Sequence, residues 1–111
     1  MKKFADAFLG LKIALKHRAV RVQCALGVMA VIGGAIIRLD FHEWLAFVIC
    51  IFSVIGSEVM NTAVERIGDY LNMNEDPKIR QIKDLSSAAV LVSSLGALAV
   101  CIMCVIRRLS S

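Results

Sequence analysis

Between Asp84 and Arg107 the chain runs without a single charged residue, from Leu85 to Ile106. A helix of about 20 residues crosses a hydrocarbon core of about 30 Å, and this run reaches that length outright. Two more apolar runs precede it. The first is roughly Val22 to Ile37, closed by Arg38. It reaches spanning length if the helix begins a turn earlier and the basic side chains there snorkel to the interface. The second, Trp44 to Gly56, reaches it only if Glu58, Asn61 and Glu65 lie at or within the membrane face. Composition agrees. Hydrophobic residues make up 59% of the chain and charged ones 20%, against about 45–50% and about 25% in soluble domains. One proline and seven glycines leave little material for turns, which disfavours a β-sandwich, and the apolarity excludes low-complexity disorder. The 111 residues suffice for one domain, 1–111. The expected fold class is all-α: an integral membrane protein with an amphipathic surface helix over about 3–17 and spans over about 20–38, 43–66 and 84–106.

The surface helix rests on periodicity. Phe4, Ala7, Phe8, Leu11 and Leu15 recur at helical spacing, with Lys12 and Lys16 on another side, as in a helix lying in the membrane interface. A signal peptide does not fit, because the apolar stretch starts too far from the basic start and no convincing small-residue cleavage site follows it. The net charge of +4 does not point to nucleic acid, because the basic residues cluster at membrane flanks. With three spans, the N-terminus and the polar segment 66–84 share one side. That side carries ten of the thirteen Lys and Arg residues, leaving Arg38, Arg107 and Arg108 opposite. The excess of positive charge on cytoplasmic segments then places the N-terminus and residues 66–84 in the cytoplasm, with Arg107 and Arg108 mildly opposing. The Arg38–Glu43 connection is then a short outer turn, and Trp44 an interfacial anchor or a packing residue.

Chemistry concentrates in E-V-M-N-T-A-V-E-R-I-G-D, residues 58 to 69. On one helix Glu58, Asn61, Glu65 and Asp69 fall within about 80° of each other. A carboxylate near the membrane centre costs on the order of 2.5–3.5 kcal/mol, so a stripe of them must face a partner, a metal, water or a substrate. An ordinary helix end emerging into the headgroups, with Arg66 as counter-ion, is the plainer account. A second segment, I-K-D-L-S-S-A-A-V-L, spans residues 82 to 91. Asp84 or Ser86 can cap the third span there. Lys83 is either a plain flanking charge or a point charge for phosphates near a helix N-terminus. The segment between carries the lone proline, Pro77, and is long enough to shape a site.

Carboxylates at a membrane interface, a lysine and a polar segment suit phosphoryl transfer to a lipid alcohol. One carboxylate would accept the hydroxyl proton and another would hold magnesium on nucleotide phosphates. Ion transport or a proton relay fits the stripe as well. No P-loop and no protein-kinase signature is present. Cys101 and Cys104 form a C-x-x-C inside an apolar span, where helix packing explains them better than redox or zinc chemistry. Cys24 and Cys50 also lie in apolar runs, so no structural disulfide is expected. Gly33 and Gly34 permit close helix packing, and Ser93 and Ser94 pack or bond across helices.

These motifs carry a resemblance. F-A-D-A-F-L-G-L at residues 4 to 11, the 58–69 segment and the 82–91 segment resemble the small prokaryotic diacylglycerol kinase family, which includes undecaprenol kinases, over nearly the whole length. The resemblance implies a surface helix plus three transmembrane helices in a homotrimeric bundle, with active sites shared between subunits at the cytoplasmic membrane interface. It implies transfer of the ATP γ-phosphate to a lipid hydroxyl with Mg2+. Matched by motif, Glu58 is the general base, Asn61 and Asp69 are polar active-site residues, and Glu65 is a magnesium ligand. Lys83 and Asp84 are the nucleotide-binding pair, and Asn74, Glu75 and Asp76 stand where the family's E-Y-H contacts nucleotide. One departure concerns the metal. The family's E-R-N-F-R pattern before the first span reads H-R-A-V-R here, residues 17 to 21. His17 stands at the glutamate's position, either as an interfacial flank residue or in the glutamate's place at the cofactor site, where it is a poorer ligand for a hard cation. Either Glu65 holds the metal with substrate oxygens and water, or activity is weak, or the chain is an inactive relative. Its short N-terminal arm and N-T-A-V-E form resemble the undecaprenol kinase branch. Diacylglycerol kinase is the close alternative, and a non-catalytic membrane oligomer the rival of another class.

Overall fold

A computed structural model describes residues 2–71 and 76–110. Among them are the helices α1 (Lys2–Ala14), α2 (Arg18–Ile37), α3 (Phe41–Leu71) and α4 (Pro77–Ser110). Among the described residues, α2, α3 and α4 are long and apolar enough to cross a membrane, in agreement with the three apolar runs.

The connections on either side of α2 are written in local chemistry. Leu15–His17 joins α1 to α2 through short backbone bonds, among them His17 N–H to the Ala14 carbonyl at 3.0 Å. At the far end of α2, Arg38 takes a left-handed conformation, φ 58° and ψ 63°. Its N–H donates to Ala35 and that of Leu39 to Gly34, the paired bonds of a Schellman turn. Leu39 folds back over Gly34, where a Cβ would sit 2.7 Å from Leu39 Cδ1 and 3.0 Å from Trp44 Cη2. Gly34 thus permits close packing, as expected, whereas Gly33 has nothing within 4 Å. Asp40 then opens α3 with a reciprocal cap: Glu43 N–H donates to Asp40 Oδ1 at 2.9 Å, and Asp40 N–H to Glu43 Oε1 at 3.0 Å.

The third apolar helix starts earlier than its apolar run. Asp76, not Asp84 or Ser86, is the cap: its Oδ1 accepts from Lys78 N–H at 2.8 Å, and Pro77 occupies the first helical position, where its missing N–H does no harm. Asp84 and Ser86 lie inside α4. The polar segment 66–84 is therefore largely helical, with α3 continuing to Leu71 and α4 beginning at Pro77. Helical propagation does not stop where apolarity stops. At 1.5 Å per residue α3 and α4 are about 46 and 51 Å long, against about 30 Å for α2.

Helix α3 is central. Helix α4 packs along it most extensively, α2 less so, and α1 touches it. The molecule is a slab of 55 × 36 × 20 Å. Its core is small: Leu39, Phe47 and Cys104 are buried, with Ala30, Trp44, Val100 and Cys101 packed against them. Ile36, Ile49, Phe52, Leu91, Val92 and Met103 face outward. So large an apolar exterior suits lipid contact and not water. The four cysteines are free thiols.

At the end of the slab holding the α2–α3 turn, Arg108 donates to Glu43 Oε1 at 2.8 Å and to the Arg38 carbonyl. Arg107 pairs with Asp40 at 3.1 Å. The α4 C-terminus is thereby tied to the α2–α3 turn.

Candidate functional site

The stripe on α3 is formed, and it changes character along its length. Glu58, Asn61 and Thr62 are buried, at 6, 7 and 8% exposure. Glu65 and Asp69, one and two turns beyond Asn61, are exposed. The periodicity that places these residues on one face also carries that face from the packed middle of the slab to its free end. The hydroxyls around Glu58 are satisfied on the helix itself: Thr62 Oγ1 donates to the Glu58 carbonyl at 2.9 Å and Ser57 Oγ to the Val54 carbonyl at 2.8 Å. Asn61 Nδ2 donates to Glu65 Oε1 at 3.2 Å, linking the buried and exposed halves. Its amide oxygen is buried with no hydrogen-bond partner among the described residues.

Helix α4 supplies the cation. The Lys83 ammonium is paired with Asp69 Oδ1, so two of the motif residues meet across the α3–α4 interface. Lys83 sits six positions after Pro77, about 9 Å along the axis from the helix start. The ammonium and the helix N-terminus are therefore separate features, and the N-terminus is occupied by the Asp76 carboxylate. Asp84 pairs with Arg80 at 3.6 Å, both exposed. His17 stands at the N-cap of α2 with extended backbone and makes no side-chain cap bond. Asn74 and Glu75 lie outside the described residues.

A cleft of about 490 Å³ opens between α2, α3 and α4. Gln23 and Gly27 of α2, Phe47 and Val54 of α3, and Ala97 and Cys101 of α4 are among its walls. Val54, in the cleft wall, lies one turn before Glu58 on α3; Glu58 is not itself in that wall. From Glu58 to Asp69 is about 16 Å along α3, with Asn61 and Glu65 between.

Among the described residues no three His, Cys, Asp or Glu side chains gather as a cage. Mg2+ does not need one, being commonly held by one or two carboxylates plus substrate phosphates and water. Exposed Glu65, bonded to Asn61, fits as such a single carboxylate.

Sequence reasoning missed Gly68, which is buried where α4 crosses α3, and the Glu43–Arg108 and Asp40–Arg107 pairs. The spacing of Asp40 and Glu43 is a capping-box signal that could have flagged the α3 start. Nothing in the local sequence points to Arg108.

The family model for prokaryotic diacylglycerol kinase matches residues 5–105. A diacylglycerol kinase of Helicobacter pylori is 27% identical over 84 residues, covering 75% of this chain and 66% of the relative. An undecaprenol kinase of Bacillus subtilis is 27% identical over 92 residues, covering 82% of this chain and 75% of the relative. The match to the Helicobacter protein thus spans just under two thirds of its length. No solved structure gives a significant match. With the family model covering nearly the whole length, the chain belongs to the prokaryotic diacylglycerol kinase family.

Proposed function

We propose that this protein is a membrane lipid kinase that transfers the γ-phosphate of ATP to a lipid hydroxyl, with undecaprenol as first-choice acceptor and diacylglycerol as the alternative. The observation that carries this reading is the course of the α3 stripe. It begins at a buried carboxylate one turn from the wall of an apolar cleft and ends at the exposed Asp69, paired with the Lys83 ammonium. Membership in a family whose relatives are named for these two kinase activities supports it.

The lipid tail lies in the cleft, which brings the hydroxyl to Glu58. Glu58 takes the hydroxyl proton as the alcohol oxygen forms its bond to the γ-phosphorus. The bond from that phosphorus to the bridging oxygen breaks, and ADP leaves with the electron pair. Lys83 holds phosphate oxygens as a point charge, exchanging Asp69 for them, and Asp84 belongs to the same nucleotide-binding face. Asn61 orients Glu65. Glu65 would hold Mg2+, which would neutralise charge on the phosphates. The site faces the cytoplasm, the side with most of the Lys and Arg residues. Helix α1, with Phe4 and Phe8 exposed, lies on that membrane surface. The functional unit is a homotrimer with shared sites. His17 at the glutamate position leaves Glu65 as the principal protein ligand of the metal.

The test is phosphorylation by purified protein in mixed micelles, with labelled ATP and Mg2+ and each lipid offered separately. Labelled product from either lipid is expected, and the better acceptor decides the substrate. Glu58→Gln should fold and assemble but lose activity by at least about a hundredfold. Full activity in that variant overturns the general-base role. No product from either lipid with assembled wild-type protein overturns the kinase reading.

A further inference from the structure

Gly68 immediately precedes Asp69 and is buried where α4 crosses α3. A Cβ at this position would lie 2.8 Å from Lys83 Cε, 3.1 Å from Ile79 Cγ2 and 3.5 Å from Lys83 Cγ. The Lys83 stem therefore crosses α3 against bare backbone, and its ammonium reaches Asp69. The tightest of these contacts involves the carbon next to the ammonium, at the far end of a flexible side chain. A methyl group at position 68 would swing the lysine aside before it pushed the helices apart. The Ile79 contact yields with a shift of a few tenths of an ångström. What the glycine controls is thus the placement of one ammonium group, more than the packing of two helices.

We infer that Gly68 is a positioning residue for nucleotide binding, acting through Lys83. This rests on the kinase reading, in which Lys83 meets the phosphates. The missing side chain lets the lysine lie flat across α3, so that its charge is already at the phosphate position when nucleotide arrives. Asp69 holds it there in the meantime.

The experiment uses the full chain in mixed micelles. Binding of a non-hydrolysable ATP analogue is measured by equilibrium dialysis without lipid acceptor, and steady-state kinetics are measured with it. Gly68→Ala should weaken analogue binding and raise the KM for ATP by roughly tenfold, the scale of one hydrogen bond to a charged group. The lipid KM, and kcat at saturating ATP, should stay within about twofold, since only nucleotide affinity is touched. In a Lys83→Met background, Gly68→Ala should add nothing to the loss of nucleotide binding, because no ammonium is left to displace. Equal effects with and without Lys83 overturn the inference, as do losses shared by kcat and the lipid KM. Should Gly68→Ala not assemble, Gly68→Ala/Ile79→Ala removes the second contact and is read the same way. Failure of that variant to assemble also overturns the inference, since the position then serves packing. A wild-type chain that binds no nucleotide overturns the kinase reading and this inference together. Wild-type binding with unchanged affinity in Gly68→Ala overturns the inference alone.

Discussion

Asn61 holds an unusual position for a buried amide. Its nitrogen is bonded to Glu65 at 3.2 Å while its oxygen has no partner among the described residues. An unsatisfied buried acceptor costs about 1–3 kcal/mol, so a residue kept in that state is poor as a packing choice and apt as a group awaiting substrate. Asn61→Ala should lower kcat/KM about tenfold or more by releasing Glu65, while thermal stability in detergent falls by less than about 1 kcal/mol. A variant that loses stability but keeps kcat/KM would mark Asn61 as structural. The shared face of the 58–69 polar residues was legible because helical periodicity alone puts those side chains together. Which of them are inside was not. Glu58 and Asn61 are buried and Glu65 and Asp69 exposed, although Gly68 beside Asp69 packs against α4. That is a property of packing between distant segments. Gly68 escaped notice for the same reason, since a glycine's meaning is set by what lies against it.

At the scale of elements, the helix ends decide where each piece of the site stands. The Asp76 and Pro77 pair is a readable start signal, yet apolarity drew the third span's start at about 84. Hydropathy reports where a helix meets lipid, and capping reports where it begins. The other end of α4 is fixed by a pair that joins residues 65 apart, invisible to any local reading. Glu43 is only 5% exposed and accepts from Arg108. Arg108→Ala leaves that carboxylate short of its counter-charge, and should destabilise the fold by about 3–5 kcal/mol in denaturation from detergent. Replacing both partners, as Glu43→Gln/Arg108→Met, should recover most of the loss. If the single variant unfolds at the wild-type midpoint, the tie contributes nothing. Arg38 gives the opposite sign. It is the one non-glycine residue with positive φ among the described residues, and left-handed backbone costs an L-residue roughly 1–2 kcal/mol. Its carbonyl, not its side chain, receives Arg108. Arg38→Gly should therefore stabilise the protein by about 1 kcal/mol, and a destabilised variant would assign the guanidinium a partner of its own.

For the molecule as a whole, a slab 20 Å thick with apolar faces cannot stand alone in water. The chain should pellet with membranes and be released by detergent but not by salt or alkali; release by salt would sink the three-span reading. Cross-linking in a bilayer should give a trimer, and monomer alone would remove the shared-site picture. One further consequence follows from the unequal helices. The α3–α4 hairpin overshoots any ordinary bilayer, whereas α2 ends between His17 and the left-handed Arg38 and is about 30 Å long. The short helix therefore acts as a caliper. A thicker bilayer stretches past it and a thinner one forces it to tilt, at fractions of a kcal/mol per Å, and either change would shift the depth of Glu58 in the bilayer. Turnover in vesicles of graded acyl-chain length should peak near a hydrocarbon thickness of about 30 Å and decline on both sides. A flat profile would show that α2 adjusts without moving the site. Such an enzyme would read the thickness of its own membrane through the shortest of its three spans.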